Sequence, residues 1–279
     1  MPSKHKTLVQ KQFTKTCDAF SQFAVRDSAD VVAERVVFAN PQADDIALDV
    51  ACGPGAIVLA LAPRVRLGRG IDLTHAMLVR AARLQAELQI VNAAFDEGDA
   101  EQLPYPDHSF TLVSCQFAFH HMPRPSAVLR EMLRVARPEA RLLLVDSISP
   151  ESDEKGELFN RIEIIRDPSH TSTLRWTDFL KLFESLHLEI VRQGLKRRAR
   201  SFNDWMLRAG LEPSALRYAE ARRLIESSAV GDGAGFSPQI EGGELTIFHH
   251  EGMFLLRRRV EAGLTAEKGP GRDDGAGGG

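Results

Sequence analysis

An α/β fold built on a parallel sheet is predicted by three features of the sequence. Short apolar runs of strand character alternate with amphipathic helical segments up to about residue 146. Parallel strands joined by crossover helices impose that rhythm. A glycine turn, Gly53-Pro54-Gly55, follows the first strand directly. The length, 279 residues with 43% apolar content, suffices to bury one large core without covalent staples.

The elements follow in order. Residues 1–45 hold a helix from Asp30 to Phe38 that must end before Pro41, and they form an N-terminal segment ahead of the sheet. Ile46 to Ala51 is the first strand. Residues 56–62 suit a helix stopped near Pro63, and Val65 to Ile71 a second strand. Thr74 suits the N-cap of a helix with Met77, Leu78, Ala81 and Leu84 on one face. Ala93 to Gly98 and Phe110 to Cys115 are strands three and four. The next helix runs from Pro123 to Ala136, with Val128, Leu129, Met132 and Leu133 as its apolar face and Pro138 as its stop. Arg141 to Asp146 is a fifth strand, apolar enough for a buried parallel position. Thr177 is expected to cap a helix running through His187. Leu188 to Val191 is a short strand, and Glu244 to Arg257 a final one with a hairpin partner.

Two segments break the rhythm. Residues 148–173 are charged and partly helical; residues 201–245 read as helices around a Gly-rich loop. Both are expected as cap insertions over the ligand edge of a domain spanning 46–260. The tail 266–279 is polar and Gly-rich, with the composition of a disordered segment.

Composition excludes several classes. Lys plus Arg number 35 against 38 Asp plus Glu, a net charge of -3, so the basic footprint of a nucleic-acid-binding domain is missing. No apolar run approaches the roughly 20 residues of a membrane span. The N-terminus lacks the apolar stretch of a signal peptide. Cys17, Cys52 and Cys115 have neither disulfide-framework nor C-x-x-C spacing. These features lead to an expectation of a cytoplasmic protein with reduced thiols and no metal site.

The stretch Asp49-Val-Ala-Cys-Gly-Pro-Gly55 carries the chemical information. Without Cβ atoms at Gly53 and Gly55, backbone can approach a ligand closely, and ligands of open α/β sheets bind outside the carboxyl ends of the strands. Alone, such a turn marks either a nucleotide-like site or only a tight connection. Asp72 closes the second strand about 20 residues later, where an acidic residue accepts from ribose hydroxyls or merely caps a strand end. Their occurrence in order favours the nucleoside reading.

Four blocks then carry a family resemblance: LDVACGPG at 48–55, GIDLTHAMLVRAA at 70–82, GDAEQLPYPDHSF at 98–110, and FHHMPRPSAVLREMLRVARPEARLLLVD at 119–146. Over roughly residues 12–195 the chain resembles the class I S-adenosylmethionine-dependent methyltransferases. It looks most like the small-molecule group that includes the ubiquinone/menaquinone-biosynthesis C-methyltransferases. The resemblance implies a Rossmann-like seven-stranded sheet, helices on both faces, a last antiparallel strand and a helical cap. It implies S-adenosylmethionine as cofactor and S-adenosylhomocysteine as product. Asp49, Ala51, Gly53 and Gly55 would hold and shape the methionine end. Asp72 would accept from the ribose, with Leu73 and Met77 beside the adenine. Asp99 would read the adenine amine and Ala100 the ring through its backbone. Gln116 and Phe117 would lie near the sulfonium. The N-terminal segment around Phe13 and Phe20 would be a lid. Members often have Gly where Ala51 stands, and Asp where Thr111 stands, so a local hydrogen bond at 111 is in question.

On the acceptor side, His120, His121, His170, Asp146 and Asp167 are candidate bases; His120 and His121, just past the fourth strand, are either catalytic or part of the loop's packing. Arg166 and His170 form either a substrate wall or a capped turn. Trp205, with Phe202 and Met206, either packs a cap helix or faces an apolar acceptor. Lys196 to Arg200 and Arg257 to Arg259 read as a solvated basic rim. The expected function is methyl transfer to a small molecule. The alternatives are an RNA or protein methyltransferase and a non-catalytic S-adenosylmethionine-binding protein. The sequence leaves the oligomeric state open.

Overall fold

The computed structural model describes residues 3–26 and 29–259, side chains between 19 and 29 excepted. The tail at 266–279 and the Phe20 side chain of the expected lid lie outside the described residues. The strands are β1 (Ile46–Val50), β2 (Leu67–Asp72), β3 (Ala93–Glu97), β4 (Phe110–Gln116), β5 (Ala136–Ile148), β6 (Leu188–Ser201), β7 (Gln239–Glu241) and β8 (Glu244–Arg258). They form one sheet in the order β3-β2-β1-β4-β5-β8-β6, with β7 hairpinned onto β8. The pairs from β3 to β5 are parallel, and β8 is antiparallel to both its neighbours. This is the sheet expected from the resemblance, with β7 added. The switch point lies between β1 and β4, where the order reverses, and ligand crevices open there.

The helices are α1 (Lys4–Arg26), α2 (Ala29–Ala39), α3 (Ala56–Leu61), α4 (His75–Glu87), α5 (Pro125–Val135), α6 (Asp153–Arg166), α7 (Trp176–Ser185), α8 (Phe202–Arg208) and α9 (Leu216–Ser227). None among the described residues is long and apolar enough to cross a membrane. The α5 face of Val128, Leu129, Met132 and Leu133 is buried in the main core, beside Leu142 and Leu144 of β5 and Phe179 and Phe183 of α7. Leu143 and Val145 alternate to the opposite face of the sheet, which α2 and α3 cover. A second core joins the two irregular segments: Phe159 and Ile162 of α6 pack with Phe202, Trp205 and Met206 of α8, Tyr218 of α9 and Phe236.

Three local expectations are corrected. The helix before β5 stops at Val135, ahead of Pro138, which already lies in β5. A residue preceding proline is driven to extended backbone, so Arg137 cannot continue the helix. The α7 helix starts at Trp176 with Arg175 in the cap position. Thr177 is inside the first turn and donates its hydroxyl to Glu151 at 2.7 Å, because Trp176 packs against Phe254 and draws the helix start earlier. The largest correction concerns β6. It continues to Ser201 and carries the basic run Lys196 to Arg200, laddered to β8 throughout. An edge strand tolerates charge because one of its faces and one of its edges stay polar.

At Thr111 the hydrogen bond in question is made. Its hydroxyl donates to Asp45 at 2.7 Å and accepts from the Ile46 amide at 3.0 Å.

Candidate functional site

One cavity of about 620 Å³ opens at the carboxyl ends of β1, β2 and β4 and continues under the cap. Asp49, at the end of β1, is 4% exposed. It accepts a hydrogen bond from the Ser114 hydroxyl at 2.6 Å, and among the described residues no cation pairs with it. Burial, with the Asp72 charge nearby, pushes its carboxyl up to about 7 despite that hydrogen bond.

The chain then turns sharply. Ala51 adopts φ 56° and Gly53 φ 54°, left-handed values that explain why glycine is common at position 51 in the resembling family. Asp72 holds the turn closed: one carboxylate oxygen accepts from the Gly53 amide and the other from the Thr74 amide, each at 2.8 Å. Burial raises its pKa against those two bonds. Thr74 occupies the cap position of α4, but its side chain makes no capping bond; Asp72 fixes the amide of Thr74 itself, just ahead of the helix. Gly55 does not line the cavity. Its φ is 81°, and a Cβ there would sit 2.7 Å from the Phe95 ring, so this glycine lets α3 start against β3.

Leu73, Met77, Asp99 and Ala100 line the same end of the cavity. Asp99 is partly open, and α1 reaches across to it. Lys6 donates to Asp99 at 2.5 Å and to Glu101 at 2.6 Å, while Gln10 donates to the Leu73 carbonyl at 2.9 Å. Val9 and Phe13 also line the cavity. The resemblance pointed to Phe13, but Lys6 and Glu101 were not singled out; they pair across 95 residues, and nothing local in either segment signals it.

Gln116 ends β4, and its amide oxygen and nitrogen are both buried with no hydrogen-bond partner among the described residues. Phe117 follows at φ 49°, with the Arg35 guanidinium 4.7 Å from its ring centre.

Past β4, two histidines are treated differently by their surroundings. His120 Nδ1 meets the buried Asp146 carboxylate at 2.5 Å. The other oxygen of Asp146 accepts from the Phe119 amide at 2.9 Å. With the proton on Nδ1, Nε2 of His120 is an acceptor facing the cavity. Burial opposes a charged ring there, but Asp146 outweighs it and raises the His120 pKa. His121 instead sits with Nδ1 3.0 Å from the Ser169 carbonyl, and burial together with the His120 charge pushes it down to about 4. His170 stacks on His120 at 5.3 Å, lies 3.0 Å from Asn160, and is pushed down to about 3 by burial. Of the three, only His120 combines a carboxylate partner with an open ring nitrogen.

The cap end is charged. Arg166 donates to the Trp205 carbonyl at 2.9 Å, meets Glu163 at 3.3 Å and lies 4.9 Å over the Trp205 ring. Trp205 is 3% exposed within the second core, so packing accounts for most of its surface. The basic run expected on a solvated rim turns Arg198 and Arg200 into the cavity. The alternation of a strand sends i and i+2 to one face, a signal visible only once β6 is known to extend that far.

Two features test the fit of S-adenosylmethionine. A buried carboxylate without a cation stands where the resemblance puts the amino-acid ammonium, and an orphaned amide stands where it puts the sulfonium end. Both are the kind of group that a bound partner satisfies, so the residues fit the cofactor.

Comparison with known proteins agrees. A methyltransferase domain model matches residues 48–144. An uncharacterized methyltransferase of Bacillus subtilis is 29% identical over 201 residues, 71% of this chain and 78% of that one. A demethylmenaquinone methyltransferase of Lactobacillus johnsonii is 34% identical over 118 residues, 39% of this chain; the chain spans 46% of that relative's length. The crystal structure of a putative methyltransferase from Bacillus halodurans superposes with a TM-score of 0.77 at 28% identity, covering 82% of this chain and 99% of that one. With the glycine turn, the strand order and the cofactor-sized cavity all in agreement, residues 48–144 form a methyltransferase domain, and the chain is similar in sequence and fold to S-adenosylmethionine-dependent methyltransferases.

Proposed function

We propose that the protein methylates a small molecule held under the cap, with His120 and Asp146 removing a proton from the attacking atom. The observation that carries this reading is one continuous cavity, which joins the cofactor residues at the strand ends to the residues of 148–173 and 201–245 past His120. Its volume suits a cofactor plus a small acceptor rather than a macromolecule. The kinship to quinone-methylating relatives supports a small acceptor as well.

Bound S-adenosylmethionine supplies an electrophilic methyl group on a sulfonium. Asp49 would pair with its ammonium, Asp72 with its ribose hydroxyls and Asp99 with its adenine amine. The Ala100 backbone, Leu73 and Met77 would enclose the adenine, and Gln116 and Phe117 would border the sulfonium. The α1 segment would close over it as a lid, with Lys6 as latch. Aligning donor and acceptor in one chamber accounts for the larger share of acceleration, up to about 7–11 kcal/mol. His120 would accept the acceptor's proton on Nε2 while Asp146 orients the ring and balances the charge formed. Phe119 and Thr171 fix this pair in place, the latter through two hydrogen bonds of 2.8 Å to the His120 carbonyl. His121 would remain neutral and shape the wall. Arg166, His170 and Trp205 would form the acceptor side of the chamber.

Purified protein incubated with methyl-labelled S-adenosylmethionine and a metabolite extract tests this. Label should enter a compound that passes a small-molecule filter. Label confined to retained RNA or protein, or no label transferred at all, would refute the reading.

A further inference from the structure

The charges around the cap half of the chamber do not balance, and one guanidinium is left over. Glu163 is met by His249 at 3.2 Å and by Arg166 at 3.3 Å. Glu251 is met by Arg35 at 3.0 Å and by Arg198 at 3.6 Å, and Arg198 also binds Glu34 at 2.6 Å. Arg208 has an interaction of its own within the protein. Arg200 lines the same chamber from β6, and among the described residues no carboxylate, carbonyl or hydroxyl bonds its side chain. It is held between the positive charges of Arg166 and Arg35, with Glu251 and Glu163 already engaged by others. Its neighbours on the paired strand are the apolar Ile247 and, beyond it, the buried His249.

We propose that Arg200 binds an anionic group of the methyl acceptor, a carboxylate or a phosphate monoester, and so sets the acceptor class. This rests on the methyl-transfer reading above. A guanidinium presents a planar fork of donors that matches both oxyanions in a bidentate manner. Placing an unpaired guanidinium away from bulk water is costly, and a ligand anion returns that cost on binding. Consistently, burial and the charge of Arg166 push the Arg200 pKa below its ordinary value, a strain that an arriving anion relieves. Arg166 looks like the anion binder on the linear sequence, yet Glu163 and the Trp205 carbonyl already occupy it. A prenylated, wholly apolar acceptor would leave Arg200 with no partner.

Calorimetry on the complex with S-adenosylhomocysteine tests the assignment with three probes of similar shape: benzoate, phenyl phosphate and benzamide. At least one of the two anions should bind about tenfold or more tightly than benzamide, and which one does so identifies the oxyanion. Arg200→Met should abolish that preference, Arg200→Lys should keep part of it, and both should leave S-adenosylhomocysteine affinity within about threefold. The proposal is overturned if benzamide binds as tightly as both anions, or if the preference survives in Arg200→Met. It is equally overturned if that variant loses S-adenosylhomocysteine instead, which would assign the guanidinium to the cofactor's own carboxylate. Methyl transfer separates this from the reading beneath it. Acceptor activity found only in extract that flows through an anion-exchange column defeats the Arg200 assignment. Activity in neither fraction defeats the methyl-transfer reading, while the calorimetric result on Arg200 still stands.

Discussion

The two halves of the chamber are built by different means. The cofactor half comes from the ends of β1, β2 and β4, and its chemistry is acidic: Asp49, Asp72, Asp99 and Glu101, with Lys6 on the last two and Arg124 on Glu101. The cap half comes from the far strands β6 and β8 and the two irregular segments, and it is rich in arginine and histidine. The first half suits the ammonium, ribose hydroxyls and amine of S-adenosylmethionine; the second suits a partner of the opposite sign. Two short motifs suffice for the first because each strand end sits next to its own loop. The second needs residues more than 80 positions apart, such as Glu163 and His249, and no local pattern brings them together.

Variants at four positions break or sharpen that comparison. The greatest loss is expected from His120→Gln, which removes the proposed proton acceptor at the junction of the halves. Turnover should fall about 10²- to 10⁴-fold with S-adenosylhomocysteine affinity unchanged. In the native enzyme, turnover should rise with pH through a midpoint above the ordinary histidine value, because Asp146 favours the protonated ring that cannot act as base. A cofactor-binding defect in this variant, or a pH profile unaltered by it, assigns His120 to the loop's packing.

Trp205→Ala reports on whether the cap is an independent layer. Removing a buried aromatic costs about 3–5 kcal/mol, so chemical denaturation should show the cap loosened and transfer impaired. Near-native stability would mean that the second core does not depend on this ring. Trp205→Phe, which keeps a ring in the core, should retain cofactor affinity within about threefold.

Asp49→Asn isolates the acidic half. Loss of a buried charged partner costs about 1.5–3 kcal/mol, roughly ten- to a hundredfold in affinity. Its pH dependence has a definite sign. The carboxyl is protonated below about 7 in the free protein, and an ammonium ligand selects the ionised form. Native affinity should therefore fall by up to about tenfold per pH unit below that point and level off above it. The same raised pKa makes this group's contribution to folding most favourable at low pH, and that contribution declines as pH rises from the ordinary carboxylate range through about 7. The asparagine variant should lose the slope; a slope that persists would move the titration to another group.

The smallest change is expected for Lys6→Ala. Its two carboxylate bonds are partly open to solvent, where such pairs contribute modestly. Cofactor dissociation should quicken a few-fold, with turnover per bound cofactor preserved. Stopped-flow release of S-adenosylhomocysteine measures this, and an unchanged off-rate would remove the latch role from α1.

Much of the acidic half was legible in the sequence. Gly53 and Asp72 are read from a strand-turn-helix pattern, and a turn after a strand constrains its own neighbours whatever surrounds it. A place for Asp99, Gln116 and Phe117 at the site was implied by the family resemblance, and all three line the cavity. Gly55 had the right neighbourhood and the wrong contact, because the Phe95 ring that it admits arrives from β3 forty residues on. Alternation of strands and helices settled the fold class for the same local reason: side-chain periodicity is a property of ten or so consecutive residues.

What only the tertiary structure decided is where charge meets charge. Lys196 to Arg200 looks solvated as a string of letters, since five residues with four cations have no apolar face. Ladder bonds to β8 extend the strand through them, and the pleat then directs Arg198 and Arg200 inward while Glu34, Glu163 and Glu251 arrive from α2, α6 and β8 to pair with Arg35, Arg166 and Arg198. His120 and His121 are likewise adjacent equals in the sequence; the Asp146 carboxylate on β5 meets one ring and the Ser169 carbonyl beyond α6 the other, and their pKa values part in opposite directions. Hydrogen bonds and ion pairs act over a few ångströms, and only folding determines which residues of a 279-residue chain come that close.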